Sequence, residues 1–236
     1  MKIAAVCCTY LRPRDLARLL RCFELQDYAD RELVILDDAG QYGPQSGDRW
    51  RLFSYATRFA TLGQKRNAAA ALVGDDVQGL AVWDDDDLYL PWALSASAAA
   101  LGVAPWSRPS LVLHPQPDGS LRQHQTGGLF HGGWAYRREA FWQIAGYPDM
   151  DNGEDQALAR RFQQAGVAAA DPLAQGFAPF YIYRWGGPGW HLSGMGRDAY
   201  RQLGSFRAEK ATLTAADPEI NLQDPEILPE IHPRVF

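Results

Sequence analysis

The sequence predicts an α/β protein with a mostly parallel, mixed sheet and helices on both faces. Three observations carry that expectation. Apolar, β-prone runs alternate with segments of helical spacing through residues 1–102, the order expected of a parallel sheet built from crossover units. The strand runs are continuously apolar rather than alternating, as in strands covered on both faces. Three of them end in polar or acidic residues: Thr9-Tyr10, Asp37-Asp38 and Asp84 to Asp87. In open α/β sheets ligands bind beyond the carboxyl ends of the strands, so these groups are expected to converge on one edge.

The elements follow in order. "KIAAVCC" (2–8) reads as a buried strand. "RPRDLARLLRCFELQ" (12–26) places Leu16, Leu19, Leu20 and Phe23 at helical spacing, with Pro13 near its start. "ELVILDD" (32–38) is a second strand, followed by the loop "AGQYGPQSGD"; "WRLFSYA" (50–56) is a third strand. "LGQKRNAAAALVG" (62–74) reads as a helix, "GLAVW" (79–83) as a strand, and "PWALSASAAALG" (91–102) as a helix with proline in its first turn. Beyond residue 102 the style changes. "LVLHPQPDGSLRQHQ" (111–125) contains a Pro-Asp-Gly turn and predicts a hairpin. "GGLFHGGWAYRREAFWQIAGY" (127–147) predicts a strand and a short helix. "NGEDQALARRFQQAG" (152–166) predicts a helix with acids in its first turn and Gly166 at its end. "FAPFYIYRW" (177–185) is a last strand, "GGPGWHLSGMG" a glycine-rich loop, and the remainder a C-terminal helix and irregular tail. Neither repeat nor linker is visible. The expectation is one domain over 1–236, with an α/β half (1–102), a mixed half (103–200) and the tail (201–236).

Composition sets bounds on partners. A 47% hydrophobic, 22% charged chain can build a sizeable core. A net charge of −5 with no Lys/Arg run argues against nucleic acid as partner. Cys7, Cys8 and Cys22 form neither a disulfide framework nor a metal-ligand spacing, which suits small buried hydrophobes in a reducing, cytoplasmic compartment. "MKIAAVCC" is too short for a signal-peptide apolar region and no segment reaches transmembrane length; peripheral membrane association stays open.

The stretch "AVWDDDDLYLP" (81–91) gathers four carboxylates. Like charges so close raise one another's pKa, and a structure tolerates them when they are solvated or share a cation. If the segment is extended, Asp84 and Asp86 share one face, Asp85 and Asp87 the other. Asp87 precedes a helix, where an N-cap or surface role is as good a reading. An EF-hand loop is excluded, because Tyr89 stands where its glycine belongs and Ser95 where its closing glutamate belongs. A hard divalent cation taking one or two carboxylates plus phosphate oxygens fits.

"VCCTYLRP", "LVILDDAG", "GQKRNAAA", "WDDDDLYLP", "GGWAYRREAFWQIAGY" and "NGEDQALARRF" stand in one order along residues 1–195. In that order they resemble the family 2 glycosyltransferases, and the aspartate cluster and "NGEDQALARRF" resemble that family's DxD and ED motifs. The resemblance implies a Rossmann-like GT-A fold, a nucleotide-sugar donor with UDP as the default, Mn²⁺ or Mg²⁺, a carbohydrate or other hydroxyl acceptor, and inversion by direct displacement. It further implies that Thr9, Tyr10 and Asp37 or Asp38 hold the nucleoside and that Lys65 and Arg66 form a basic pair near it. Asp86 would bind the metal, supported by Asp84 or Asp85, and Asp155 would be the general base with Glu154 beside it. His191, in a late glycine-rich loop, is a candidate metal or diphosphate ligand, and Trp185 and Trp190 are lesser candidates for sugar contact.

Bland readings stand beside these. Glu154 and Asp155 begin a helix, where the dipole favours acids. Lys65 and Arg66 could face solvent, Asp37 and Asp38 could cap a turn, and His131 and Trp134 could be plain core residues, although Gly132 and Gly133 hint at close approach to an acceptor. A non-catalytic nucleotide-sugar or carbohydrate-binding protein is the alternative. A nucleotidyltransferase ranks lower, because "CCTYLRPRDL" lacks the glycine-rich loop that such a reading requires.

Overall fold

A computed structural model describes residues 1–43, 45–116 and 118–184. His191, Trp185, Trp190 and the 201–236 tail therefore lie outside the described residues. Among these, the chain forms two sheets. The first strand, β1 (Ile3–Thr9), leads through α1 (Pro13–Glu24) to β2 (Arg31–Asp37), then through the short β3 (Gln45–Gly47) to β4 (Trp50–Ser54). Helix α2 (Leu62–Ala71) precedes β5 (Gly79–Val82); β6 (Leu88–Tyr89) and α3 (Ala93–Val103) follow. The later part adds β7 (Trp106–Ser107), the hairpin β8 (Leu111–Pro115) and β9 (Leu121–Gln125), β10 (Ala135–Arg137), α4 (Arg138–Gln143), α5 (Glu154–Gln164), β11 (Ala169–Ala170) and β12 (Tyr181–Ile182).

The larger sheet runs β11-β7-β10-β5-β1-β2-β4-β3. Its centre, β5-β1-β2-β4, is parallel, while β10 and β3 pair antiparallel. The chain steps outward from β1 to β2 and β4, then returns to lay β5 on the other side of β1. That reversal is a topological switch point, the place where open α/β sheets leave a crevice at the strand ends. A smaller sheet, β6-β12-β8-β9, packs beside it.

Residue alternation along β1 shows why both faces must be covered. Ile3, Ala5 and Cys7 join Leu16, Leu19, Leu20 and Phe23 of α1 and Leu94 and Leu101 of α3 in one apolar cluster. Ala4 joins Ala70 of α2, Phe141 of α4 and Leu158 and Phe162 of α5 in the other. The smaller sheet closes the first cluster with Val112, Leu113, Tyr181 and Ile182. Cys7 and Cys22 are buried and Cys8 is partly buried, all as free thiols. Burial raises the pKa of each, that of Cys8 to about 11, so they behave as small hydrophobes.

Three expectations shift. The loop expected over "AGQYGPQSGD" holds the edge strand β3. The helix expected from Pro91 begins at Ala93, with the proline ahead of it. Of the strand expected over 177–185, Tyr181–Ile182 pairs. No helix among the described residues is long and apolar enough to cross a membrane.

Candidate active site

At the switch point the ends of β1 and β5 meet. Thr9 closes β1 and donates its hydroxyl to Asp85 at 2.7 Å. The four aspartates follow β5 as a turn rather than an extended strand, so they do not split into two alternating faces. Asp84 turns toward Arg66, Asp85 and Asp86 together toward Arg12, and Asp87 toward Tyr181 and Arg184, and that arrangement makes the charge density tolerable.

Asp84 pairs with Arg66 Nη1 at 3.1 Å. Asp85, 3% exposed, and Asp86 both receive Arg12 Nη1 at 2.9 Å. Burial pushes the Asp85 carboxyl up to about 6 against the lowering influence of Arg12, with Asp86 adding to the rise. Asp87 does not cap α3, whose N-cap is Trp92. Its buried carboxylate accepts the Tyr181 hydroxyl and the Arg184 backbone N–H, the latter at 2.9 Å. Burial, then Asp86, holds its pKa well above the ordinary range. Arg184 also donates Nε to the Asp86 carbonyl at 2.8 Å, which ties the end of the described chain to this turn.

Helix α2 supplies the basic pair from its inner face. Thr61 caps it by accepting Gln64 N–H. Lys65 is 6% exposed and donates to the Thr9 carbonyl at 2.6 Å and to Asp38 at 2.5 Å. Arg66, its side chain 13% exposed, bridges Asp84 and Glu154 Oε1, the latter at 3.2 Å. Burial pulls the Arg66 pKa down, but Asp84 and Glu154 outweigh it and the net shift is well upward. Neither residue lies on a solvated helix face. Asp37 accepts Ser54 Oγ at 2.7 Å and the backbone N–H groups of Ala39 and Gln41, a turn-capping geometry. Tyr10 lies under the Arg58 guanidinium, 4.2 Å from the ring centroid.

The acidic helix α5 reaches the same place. Gly153, at φ +71°, starts it; Glu154 and Asp155 fill its first turn, where the helix dipole favours them. Glu154 is buried against Arg66, and burial raises its pKa. Asp155 is half-buried and accepts Gln156 N–H at 2.7 Å within its own turn.

His131 and Trp134 are core residues. His131 Nε2 meets the hydroxyls of Tyr136 at 3.0 Å and Tyr147 at 2.7 Å. Burial, then Arg66, lowers its pKa to about 3, so it is neutral. Trp134 is 3% exposed and donates to the Leu129 carbonyl. A Cβ on Gly132 would lie 2.4 Å from the Tyr181 hydroxyl oxygen; the glycine makes room for that ring rather than for an acceptor.

Arg12 is the residue that sequence reasoning missed. The available signal was an arginine between a strand end and a proline, but in sequence it looks like any surface arginine. Among the described residues, no three His, Cys, Asp or Glu side chains gather as a ligand set. Asp85 and Asp86 do converge on one cationic nitrogen, and two carboxylates are what Mg²⁺ or Mn²⁺ takes from a protein when diphosphate oxygens complete its coordination. The residues present therefore fit such an ion.

No family model matches the sequence, and no curated protein matches it. Solved structures do. S. aureus TarS 1–349 in complex with UDP-GlcNAc superposes with TM-score 0.62 at 15% identity over 93% of this chain and 69% of that one. The mannosyltransferase PcManGT from Pyrobaculum calidifontis, in complex with GDP-Man and Mn²⁺, gives 0.58 at 17% over 93% and 66%. The chain has the GT-A fold. It spans 60% of another TarS 1–349 structure and 39% of TarS itself.

Proposed function

We propose that the protein is a metal-dependent glycosyltransferase that moves a sugar from a nucleotide-diphosphate donor, with UDP-sugar the first candidate, to an acceptor hydroxyl with inversion. The observation that carries this reading is the convergence, at the switch point of a GT-A fold, of the aspartate turn with the N-terminus of α5 through Arg66. The neighbours solved with UDP-GlcNAc and with GDP-Man and Mn²⁺ support the donor class.

In this reading Thr9, Tyr10, Asp37 and Asp38 border the nucleoside, and Lys65 braces that wall by joining Asp38 to the Thr9 carbonyl. Asp86, helped by Asp84 and Asp85, holds Mn²⁺ or Mg²⁺. A bound cation supplies Lewis-acid stabilisation of the leaving diphosphate. Asp155 takes the proton of the attacking hydroxyl. Its half-exposed carboxylate accepts Gln156 N–H of its own helix turn and, among the described residues, has no other hydrogen bond, which suits it to meet an acceptor. Glu154 is fixed by Arg66, so its role is to orient the first turn of α5. Inversion requires this one base, opposite the leaving group. The 1–102 half would take the donor and the later half the acceptor.

The test is incubation with UDP-, GDP- and dTDP-sugars, Mn²⁺ and simple glycoside acceptors, followed by proton NMR of the anomeric signals. Release of nucleoside diphosphate with a product of inverted configuration is expected. A retained configuration removes the mechanism; donor binding without turnover across the acceptors favours a binding protein.

A further inference from the structure

Arg12 is the cation already in place between Asp85 and Asp86. Its Nη1 lies 2.9 Å from Asp85 Oδ1 and 2.9 Å from Asp86 Oδ2, so one nitrogen serves both carboxylates. The backbone aims it there. Leu11 adopts φ +54°, a left-handed conformation costly for a residue with a branched side chain. Arg12 itself sits at φ −127° and ψ 60°, ahead of Pro13, and a residue before proline is kept out of the helical region. A kink with this strain persists when surrounding contacts hold it, and the two charge-assisted hydrogen bonds of Arg12 are such contacts.

We infer that Arg12 is a built-in counter-cation that competes with the divalent ion for Asp85 and Asp86, so that metal loading requires the guanidinium to leave them. The inference rests on the reading of the aspartate turn as the metal–diphosphate site. It adds a device to that site: the pair of carboxylates is never uncompensated, and metal affinity is set by the difference between two cations. A displaced guanidinium, tethered at the rim, is a bidentate donor suited to phosphate oxygens, so it moves from holding the two carboxylates to contacting the ligand.

Mn²⁺ is the probe, titrated at about pH 8 so that the carboxylates are ionised, with free Mn²⁺ followed by its electron paramagnetic resonance signal, with and without UDP. Wild type, Arg12→Gln, Arg12→Lys and Asp86→Asn are compared. Arg12→Gln is expected to bind Mn²⁺ about tenfold more tightly than wild type, the effect of removing charge-assisted hydrogen bonds that the metal must break. Its melting temperature is expected to fall without metal, and Mn²⁺ is expected to raise it by more than it raises that of wild type, which a merely structural arginine would not produce. Arg12→Lys is expected to fall between, because a hydrated point charge holds two carboxylates less well than a guanidinium. Equal or weaker Mn²⁺ affinity in Arg12→Gln overturns the inference, and so does Arg12→Lys no tighter than wild type if the glutamine variant does not fold. Absence of Mn²⁺ binding in every protein, UDP included, overturns the metal site itself. Mn²⁺ binding lost in Asp86→Asn but unchanged in the Arg12 variants leaves the metal site standing and removes Arg12 from it.

Discussion

Replacing Arg66 by glutamine tests whether the aspartate turn and α5 are held together as described. Arg66 makes two ion pairs, 3.1 Å to Asp84 and 3.2 Å to Glu154, with its side chain 13% exposed. Removing one partner of a buried pair costs about 3–5 kcal/mol, because the other charge is left uncompensated. For a chain of this size each kcal/mol lowers the melting temperature by about 2–4 °C, so a fall of about 6–20 °C is expected. The loss should depend on pH. Burial already raises the Glu154 pKa above its ordinary 4.5, and without Arg66 it rises further. A carboxyl whose folded pKa is raised destabilises the fold above that pKa and not below the unfolded value. The deficit of Arg66→Gln should therefore be largest at neutral pH and shrink as pH falls toward about 4.5. Adding Glu154→Gln should restore part of the stability, a coupling read from the double-mutant cycle. Thermal melts of the four proteins across pH are the assay. A fall below about 2 °C, within the range of an ordinary surface change, or a deficit that grows on acidification, would refute the bridge.

Further expectations concern other sites. His131, with its pKa lowered to about 3, stabilises the fold fully above its unfolded value near 6.5 and loses that contribution as pH falls between the two. His131→Gln should thus show a flatter decline in stability over that range than wild type in chemical denaturation. Asp155→Asn should lower turnover by about 10²–10⁴-fold, the usual contribution of a general base, with the donor-induced thermal shift unchanged; full activity would remove the assigned base. Gly132→Ala pushes a methyl against the buried Tyr181 ring and should cost about 1–3 kcal/mol, measured by urea denaturation; a neutral result would mean that the ring moves freely.

The layered part of the fold was legible in the sequence because its signals are local. Leu16, Leu19, Leu20 and Phe23 announce α1, and continuous apolar runs announce β1, β2 and β5, each within its own segment. The strand β3 was missed because its three residues, Gln45–Gly47, carry no apolar alternation. At the site, residue types were visible but partners were not. Arg66 finds Glu154 at a separation of 88 residues, and Asp87 finds Arg184 N–H at 97. Helix α2 carries its two charged residues next to each other and follows them with alanines, with no apolar stripe, so nothing in its pattern says that Lys65 faces inward. The four aspartates read as an extended segment because a strand leads into them. Their turn follows from the need to compensate every carboxylate, Asp84 by Arg66, Asp85 and Asp86 by the shared Arg12, and Asp87 by Tyr181 and Arg184.

Binding of nucleotide with metal tests the central claim most directly. Titration calorimetry of UDP, GDP, dTDP and CMP, each with and without Mn²⁺, should show one nucleotide binding in a metal-dependent manner, with that binding lost in Asp86→Ala. Metal-independent binding, or no binding of any nucleotide to a folded protein, would contradict the assignment of the aspartate turn.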